Sequence, residues 1–241
     1  MRTGLLAVTL MILATQNVYS DVTITGTRII FPSNQDSVTV QLNNPAKTPA
    51  LIQSWLDDGD PKVIPSADKI PFILVPALTT IQPQKGQMIR LLAKDTSHLP
   101  KDRETLYWFN ILDIPPTSTD SSEKNKLNIS IRSRIKLFYR PIKLNMTQDK
   151  AFTALSFKYL NSDQSIKISN PSPYYISFMN LSLNPEQDNL RYSEPLMVAP
   201  FSDEVIKPKL TFKPYQVKYE LINDYGSSNA FTTNIEEAFD E

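Results

Sequence analysis

Short runs in which apolar and polar residues alternate recur along this chain, and they confine it to β-structure. Before residue 140 these are Val22 to Thr25, Ser37 to Leu42, Ala50 to Leu56, Ile89 to Leu92, Tyr107 to Ile114 and Leu127 to Tyr139. A period of two puts every second side chain on one face of a strand. Turn-forming clusters separate the runs, among them PSNQD, NNPAKTP, DDGDP, PQKGQ and PPTSTDSSEKNK. No window in this half sustains a helical apolar repeat with recognisable caps. About seven short strands over about 120 residues, spaced by turns, predict an immunoglobulin-like sandwich over residues 21–144.

The pattern restarts after YRPIKLNMTQD with Ala154 to Tyr159, Ser165 to Ser169, Tyr174 to Leu183, Glu194 to Val198, Glu204 to Lys207 and Gln216 to Ile222. A second, smaller β-sandwich over residues 145–234 is expected, with no sequence repeat of the first. The fold class is therefore all-β: two immunoglobulin-like β-sandwich domains. The linker from Pro141 to Thr147 is short, which predicts a fixed angle and a cleft between the domains where a site can form. Residues 235–241, with Glu236, Glu237, Asp240 and Glu241, read as a solvated acidic tail.

At the N-terminus Arg2 precedes an apolar run from Gly4 to Ala14, and Val18 and Ser20 suit cleavage before Asp21. Residues 1–20 thus read as a secretory signal peptide, because the run is too short to span a bilayer as a helix. No later segment is long and apolar enough for a membrane span. The 25 basic and 25 acidic residues become 24 and 25 once Arg2 is removed, a balance that argues against bulk nucleic-acid binding. Cysteine is absent. An exported chain of about 220 residues must then be held by its core rather than by disulfides. The single histidine, His98, lies in the loop-like SHLPKDRE, which excludes multi-histidine metal sites.

The segment LNISIRSRIKLFYRP, from Leu127 to Pro141, is an apolar strand with a cationic end. Leu127, Ile129 and Ile131 alternate with Asn128, Ser130 and Arg132, and Arg134, Lys136 and Arg140 follow. The polar stretch from Pro115 to Lys126 before it reads as a loop, so the strand is a candidate for a sheet edge. Exposed apolar edges invite aggregation. A chain that displays one uses it to pair with another chain unless its own fold hides it. Lys136 is an odd number of residues from Ile131, so in a regular strand it faces away from the apolar row, and only a bulge or strong twist would change that.

Catalytic signatures are missing: no nucleophile elbow, Gly-rich phosphate loop, paired-histidine motif or calcium-loop spacing occurs, and the chain holds only five glycines. No metal and no cofactor is expected. Asp57, Asp58 and Asp60 around Gly59 are an acidic cluster, but DDGDP between two strands reads as a hairpin turn. Arg28, in TRIIFP, and Lys136 are charges set among apolar neighbours. Each is either part of a solvated strand face or internal salt bridge, or one member of an anion-binding pair that would hold a carboxylate through charge-assisted hydrogen bonds.

Five segments in order across both predicted domains carry a family resemblance: TRIIFP (27–32), LPKDRETLYWFNILDIPP (99–116), IKLFYRP (135–141), SNPSPYY (169–175) and INDYG (222–226). They resemble the periplasmic chaperones of chaperone-usher pilus assembly, and the signal peptide fits. By that resemblance Arg28 and Lys136 are the cleft cations that anchor a pilus subunit's C-terminal carboxylate. Leu127, Ile129 and Ile131 are the alternating residues that fill the groove of a subunit lacking its final strand. Glu104, Arg140 and Asp224 fall where the family places an interdomain salt bridge. The resemblance implies pilus subunits and an outer-membrane usher as partners and no nucleotide hydrolysis, and it leaves open whether the free protein caps its strand in a homodimer. The loop from Pro115 to Lys126 resembles the branch that builds rigid pili, and the second-domain disulfide of some members is missing. The competing readings are an Ig-like surface or fibre component and a secreted hydrolase on a β scaffold.

Overall fold

The computed structural model describes residues 22–66, 69–114, 129–186 and 189–237. The expected signal peptide, the loop from Pro115 to Lys126, Leu127 and the last four residues lie outside them. The first unit contains β1 (Thr23–Ile24), β2 (Arg28–Pro32), β3 (Ser37–Asn43), β4 (Ala50–Asp57), β5 (Phe72–Val75), β6 (Leu78–Ile81), β7 (Gly86–Ala93), β8 (Thr105–Ile114) and β9 (Ile131–Arg140). One sheet has the order β1-β3-β7-β5 and the other β2-β9-β8-β4-β6. Their inner faces enclose a core that includes Phe31, Leu42, Ile52, Ile89, Leu91, Phe109 and Leu137. Alternation drives this closure. In β4, Ala50, Ile52, Ser54 and Leu56 are buried while Leu51 and Gln53 face outward.

The second unit opens with a short helix, α1 (Gln148–Thr153), capped by the Thr147 hydroxyl. Then come β10 (Ser156–Leu160), β11 (Ser165–Asn170), β12 (Ile176–Leu183), β13 (Leu190–Tyr192), β14 (Met197–Val198), β15 (Ser202–Ile206), β16 (Gln216–Ile222), β17 (Ser228–Asn234) and β18 (Glu236–Glu237). These form a β15-β11-β10-β18 sheet and a β13-β12-β16-β17 sheet, with β14 paired to β12. Their core is separate from the first and includes Phe152, Phe157, Ile166, Ile168, Val217 and Leu221. The chain is thus nearly all β in two sandwich units, as its alternation predicts.

Two expectations need correction. DDGDP is not a hairpin turn: β4 does not pair with β5, and the segment instead starts a crossover that carries the chain to the opposite sheet. The proposed tail does not start as a solvated end either. Ile235 packs against the second core, and Glu236 and Glu237 pair in parallel with Lys158 and Tyr159. One apolar residue that finds a core is enough to hold the chain down there.

Candidate functional site

Strand β9 organises the site. It pairs antiparallel with β8 from Ile131 to Tyr139 without a register break. On its other edge it pairs in parallel with β2, but only from Lys136 to Arg140. Its first half therefore has one strand edge with no partner among the described residues. Ile129 and Ile131, on this open half, are 64% and 39% exposed. The open edge stops where β2 begins, at the register pair of Arg28 and Lys136.

Because no bulge interrupts β9, parity holds along it. Ile131 shares a face with Ile135, Leu137 and Tyr139, which pack on the first core, and Ile129 lies just before the strand. Arg132, Arg134, Lys136, Phe138 and Arg140 share the other face. Lys136 therefore faces away from the apolar row, as its parity predicts, and Arg28, its register partner in β2, lies beside it.

Among the described residues no carboxylate forms an ion pair with either cation. Arg28 Nη1 donates to the Ile222 carbonyl at 2.9 Å, its guanidinium lies 5.9 Å from the Phe138 ring, and its buried Nε has no hydrogen-bond partner. Lys136 Nζ donates to the Ser177 hydroxyl at 2.8 Å and lies 5.8 Å from the Trp108 ring. Ile222 and Ser177 belong to the second unit, so the pair sits where the two units meet. Burial pulls the Lys136 pKa down from 10.5 to about 8, and the neighbouring Arg28 charge adds to this. Burial likewise lowers Arg28, with Asp224 and Glu104 opposing it at a distance. Two adjacent, partly desolvated cations with a free donor make a receptor for a carboxylate.

Beside them stands an interdomain ion-pair set. Arg140 Nε donates to Glu104 Oε1 at 2.7 Å, while Nη1 and Nη2 reach Asp224 at 2.5 and 2.8 Å. Burial alone would lower Arg140, but Asp224 and Glu104 reverse this and raise it above its ordinary value. Glu104 is 3% exposed, and burial raises its pKa against the pull of Arg140 and the Tyr175 amide, which donates to Oε2 at 2.8 Å. Asp224 also accepts from Gln148 at 2.8 Å, and the Glu104 amide donates to the Pro173 carbonyl. The Asp224 turn sits tightly on the first unit: a Cβ on Gly226, whose φ is +81°, would meet Thr27 Oγ1 at 2.7 Å. Glycine is required there by backbone angle and by space.

Sequence reading missed a third cluster on the same face of β9. Asp57 has no exposed surface. It accepts from Arg134 Nε and Nη2 at 3.0 and 2.5 Å, from Asn110 at 2.8 Å and from the Gly59 amide at 2.9 Å. Burial pushes its carboxyl up, but these bonds win and hold its pKa below the usual range. The alternation of ALIQSWLD sets Asp57 on the outward face with Trp55, a signal that the turn-like DDGDP obscures. Among the described residues no group of three or more His, Asp or Glu side chains is placed to hold a metal ion.

Residues 21–145 match the N-terminal domain of the PapD pili and flagellar-assembly chaperones, and residues 150–233 match the C-terminal domain of the PapD pili assembly chaperones. The chain belongs to the PapD family of pilus assembly chaperones. It is 39% identical over 234 residues to the probable fimbrial chaperone YadV of Escherichia coli strain K12, covering 94% of each chain. It is 38% identical to the chaperone protein HifB of Haemophilus influenzae, over 86% of this chain and 85% of that one. The crystal structure of the YadV chaperone superposes with a TM-score of 0.77 at 38% identity, over 89% of this chain and 100% of the other. A role as a fimbrial chaperone in pilus assembly follows from this membership. No helix among the described residues is long and apolar enough to cross a membrane.

Proposed function

We propose that this protein is a periplasmic chaperone that binds, folds and caps pilus subunits by lending them the open half of β9, and then delivers them to an outer-membrane usher. The supporting observation is the termination of that open edge at Arg28 and Lys136, a cleft cation pair with no carboxylate partner among the described residues. A subunit strand running parallel to β9 would end there, and its terminal carboxylate would complete the bonding of both cations. Ile129 and Ile131, with Leu127 before them, would fill the groove of the incomplete subunit. Burying each such side chain contributes about 1.5 to 3 kcal/mol before ordering costs. Backbone pairing adds to this, and the carboxylate sets the register. Glu104, Arg140 and Asp224 keep the angle between the units, so that both walls of the cleft face the carboxylate. Export by residues 1–20 would bring the chain to the periplasm, and the work is binding with no chemical step.

The test is recovery of subunit complexes from periplasmic extracts after co-expression with fimbrial subunits. Arg28→Ala and Lys136→Ala should each yield folded chaperone with no recoverable complex. Unchanged complex yield from either variant would remove that residue from the anchor.

A further inference from the structure

A β-strand that slips by one residue turns its apolar side chains outward and is rejected, but a slip of two residues keeps every side chain on its proper face. Apolar alternation therefore cannot choose between registers two residues apart. Along the outward face of β9 that choice falls to charge. Arg132, Arg134 and Lys136 follow one another at two-residue intervals, about 7 Å apart along the strand. A carboxylate arriving along the open edge reaches the two arginines before it reaches Lys136.

The arginines are already occupied. Arg134 lies 3.9 Å from the Trp108 ring, with its fork on both oxygens of Asp57 and a further bond of 3.0 Å to the Gly59 carbonyl. Arg132 lies 4.9 Å from the Trp55 ring and donates to Asn110 Oδ1 at 3.0 and 2.7 Å, to the Pro61 carbonyl, and to Asp57 at 3.4 Å. Past the pair, Arg140 is taken by Glu104 and Asp224. Among the described residues only neutral oxygens, those of Ser177 and Ile222, accept hydrogen bonds from Lys136 and Arg28.

We propose that Asp57 is a register-selecting residue: its single charge pairs with Arg134 through both oxygens, Arg132 is engaged by Asn110, the Pro61 carbonyl and a longer contact to Asp57, and Lys136 with Arg28 is left as the docking point for the subunit carboxylate. Asp57 is a positioning residue in this scheme, because it touches the arginines and not the subunit. The inference rests on the carboxylate-anchor reading above. Removing the Asp57 charge frees Arg134 as a second anchor, and the bound strand then divides between two registers.

Disulfide mapping tests this, since the native chain has no cysteine. The chaperone carries Ile131→Cys. The probe is a short synthetic peptide of alternating valine and serine with a free C-terminal carboxylate, in forms that place one cysteine at successive same-face positions. In the parent one form should cross-link preferentially. With Asp57→Asn, cross-linking should spread to the form displaced by two residues, and adding Arg134→Met should restore the single preferred form. A merely structural role predicts that Asp57→Asn weakens all forms together and that Arg134→Met restores nothing; an unchanged pattern in Asp57→Asn likewise overturns the proposal. Should Asp57→Asn fail to fold, Asp57→Asn with Arg132→Met still frees Arg134 while removing one unpaired cation, and the same shift is expected. If the parent shows no preferred form, or the amidated peptide cross-links equally well, the anchor reading itself fails and the proposal with it.

Discussion

Replacing Lys136 by methionine should make the chaperone more stable and less able to capture subunits. The lysine pKa falls from 10.5 to about 8 through burial and the adjacent Arg28, which corresponds to roughly 3 kcal/mol against the charged form in the fold. Methionine removes that penalty and keeps most of the apolar stem. It also removes the bond from Nζ to Ser177 and the contact with Trp108, together worth about 1 to 2 kcal/mol. A net gain of about 1 to 2 kcal/mol remains, which for a chain of this size raises the melting temperature by roughly 2 to 8 °C at pH 7. The sign of the pH dependence follows from linkage. Between pH 8 and 10.5 the unfolded chain binds more protons at this site than the folded one, so wild-type stability rises with pH there. The penalty that Lys136→Met removes is therefore in full force below pH 8 and gone above 10.5, so the variant's advantage holds at pH 7 and is lost by about pH 10, where the missing Ser177 bond and Trp108 contact count against it. Thermal melts of both proteins at pH 7 and pH 10, paired with subunit pull-downs, read both effects. A variant less stable than wild type at pH 7, or a difference independent of pH, would refute the description of Lys136 as a desolvated cation awaiting an anion.

Ile129 is 64% exposed, so Ile129→Asp should change stability by no more than about 0.5 kcal/mol while weakening subunit recovery at least tenfold. A large fall in melting temperature would assign it to the core instead. Arg140→Ala strands Glu104, which is 3% exposed, and should cost about 3 to 5 kcal/mol. Small-angle scattering of this variant should show a broadened distribution of distances between the two units; an unchanged profile would mean that other contacts hold the angle.

Strands with clean alternation were legible in the chain itself. Gln216 to Ile222 is a strand with the expected ends, and Ser37–Asn43 and Ala50–Asp57 each extend one residue beyond expectation. Elements whose order comes from partners were not. SNAFTTN, from Ser228 to Asn234, is almost wholly polar, and it is a strand because all seven residues pair with β16. FILV and LTTI are short apolar runs interrupted at Pro76, with too little length to show a period. Helix α1 spans six residues, fewer than two helical turns, and so carries no repeat. At the site, the parity of Lys136 was readable because it is counted along one strand. The Asp57 cluster was not, since its main partner Arg134 is 77 residues away and an aspartate before Asp-Gly-Asp looks like a turn residue.

On the proposed reading, the placement of anions around β9 lets one strand be sticky, cationic and selective together. Its apolar row runs from the exposed Ile131 into the buried Leu137 and Tyr139, so the exposed half is continuous with the half that anchors the strand in the core. Such continuity gives the offered half a rigid backbone, which lowers the ordering cost of adding a strand to it. On the opposite face a bare row of four cations would repel itself and attract any anion without preference. Asp57 at one end and Glu104 with Asp224 at the other neutralise that row from both sides. The unneutralised remainder, Lys136 with Arg28 beside it, coincides with the point where β2 closes the edge. Backbone geometry and charge thus mark the same residue pair by independent means, and a partner strand that satisfies one of them satisfies the other.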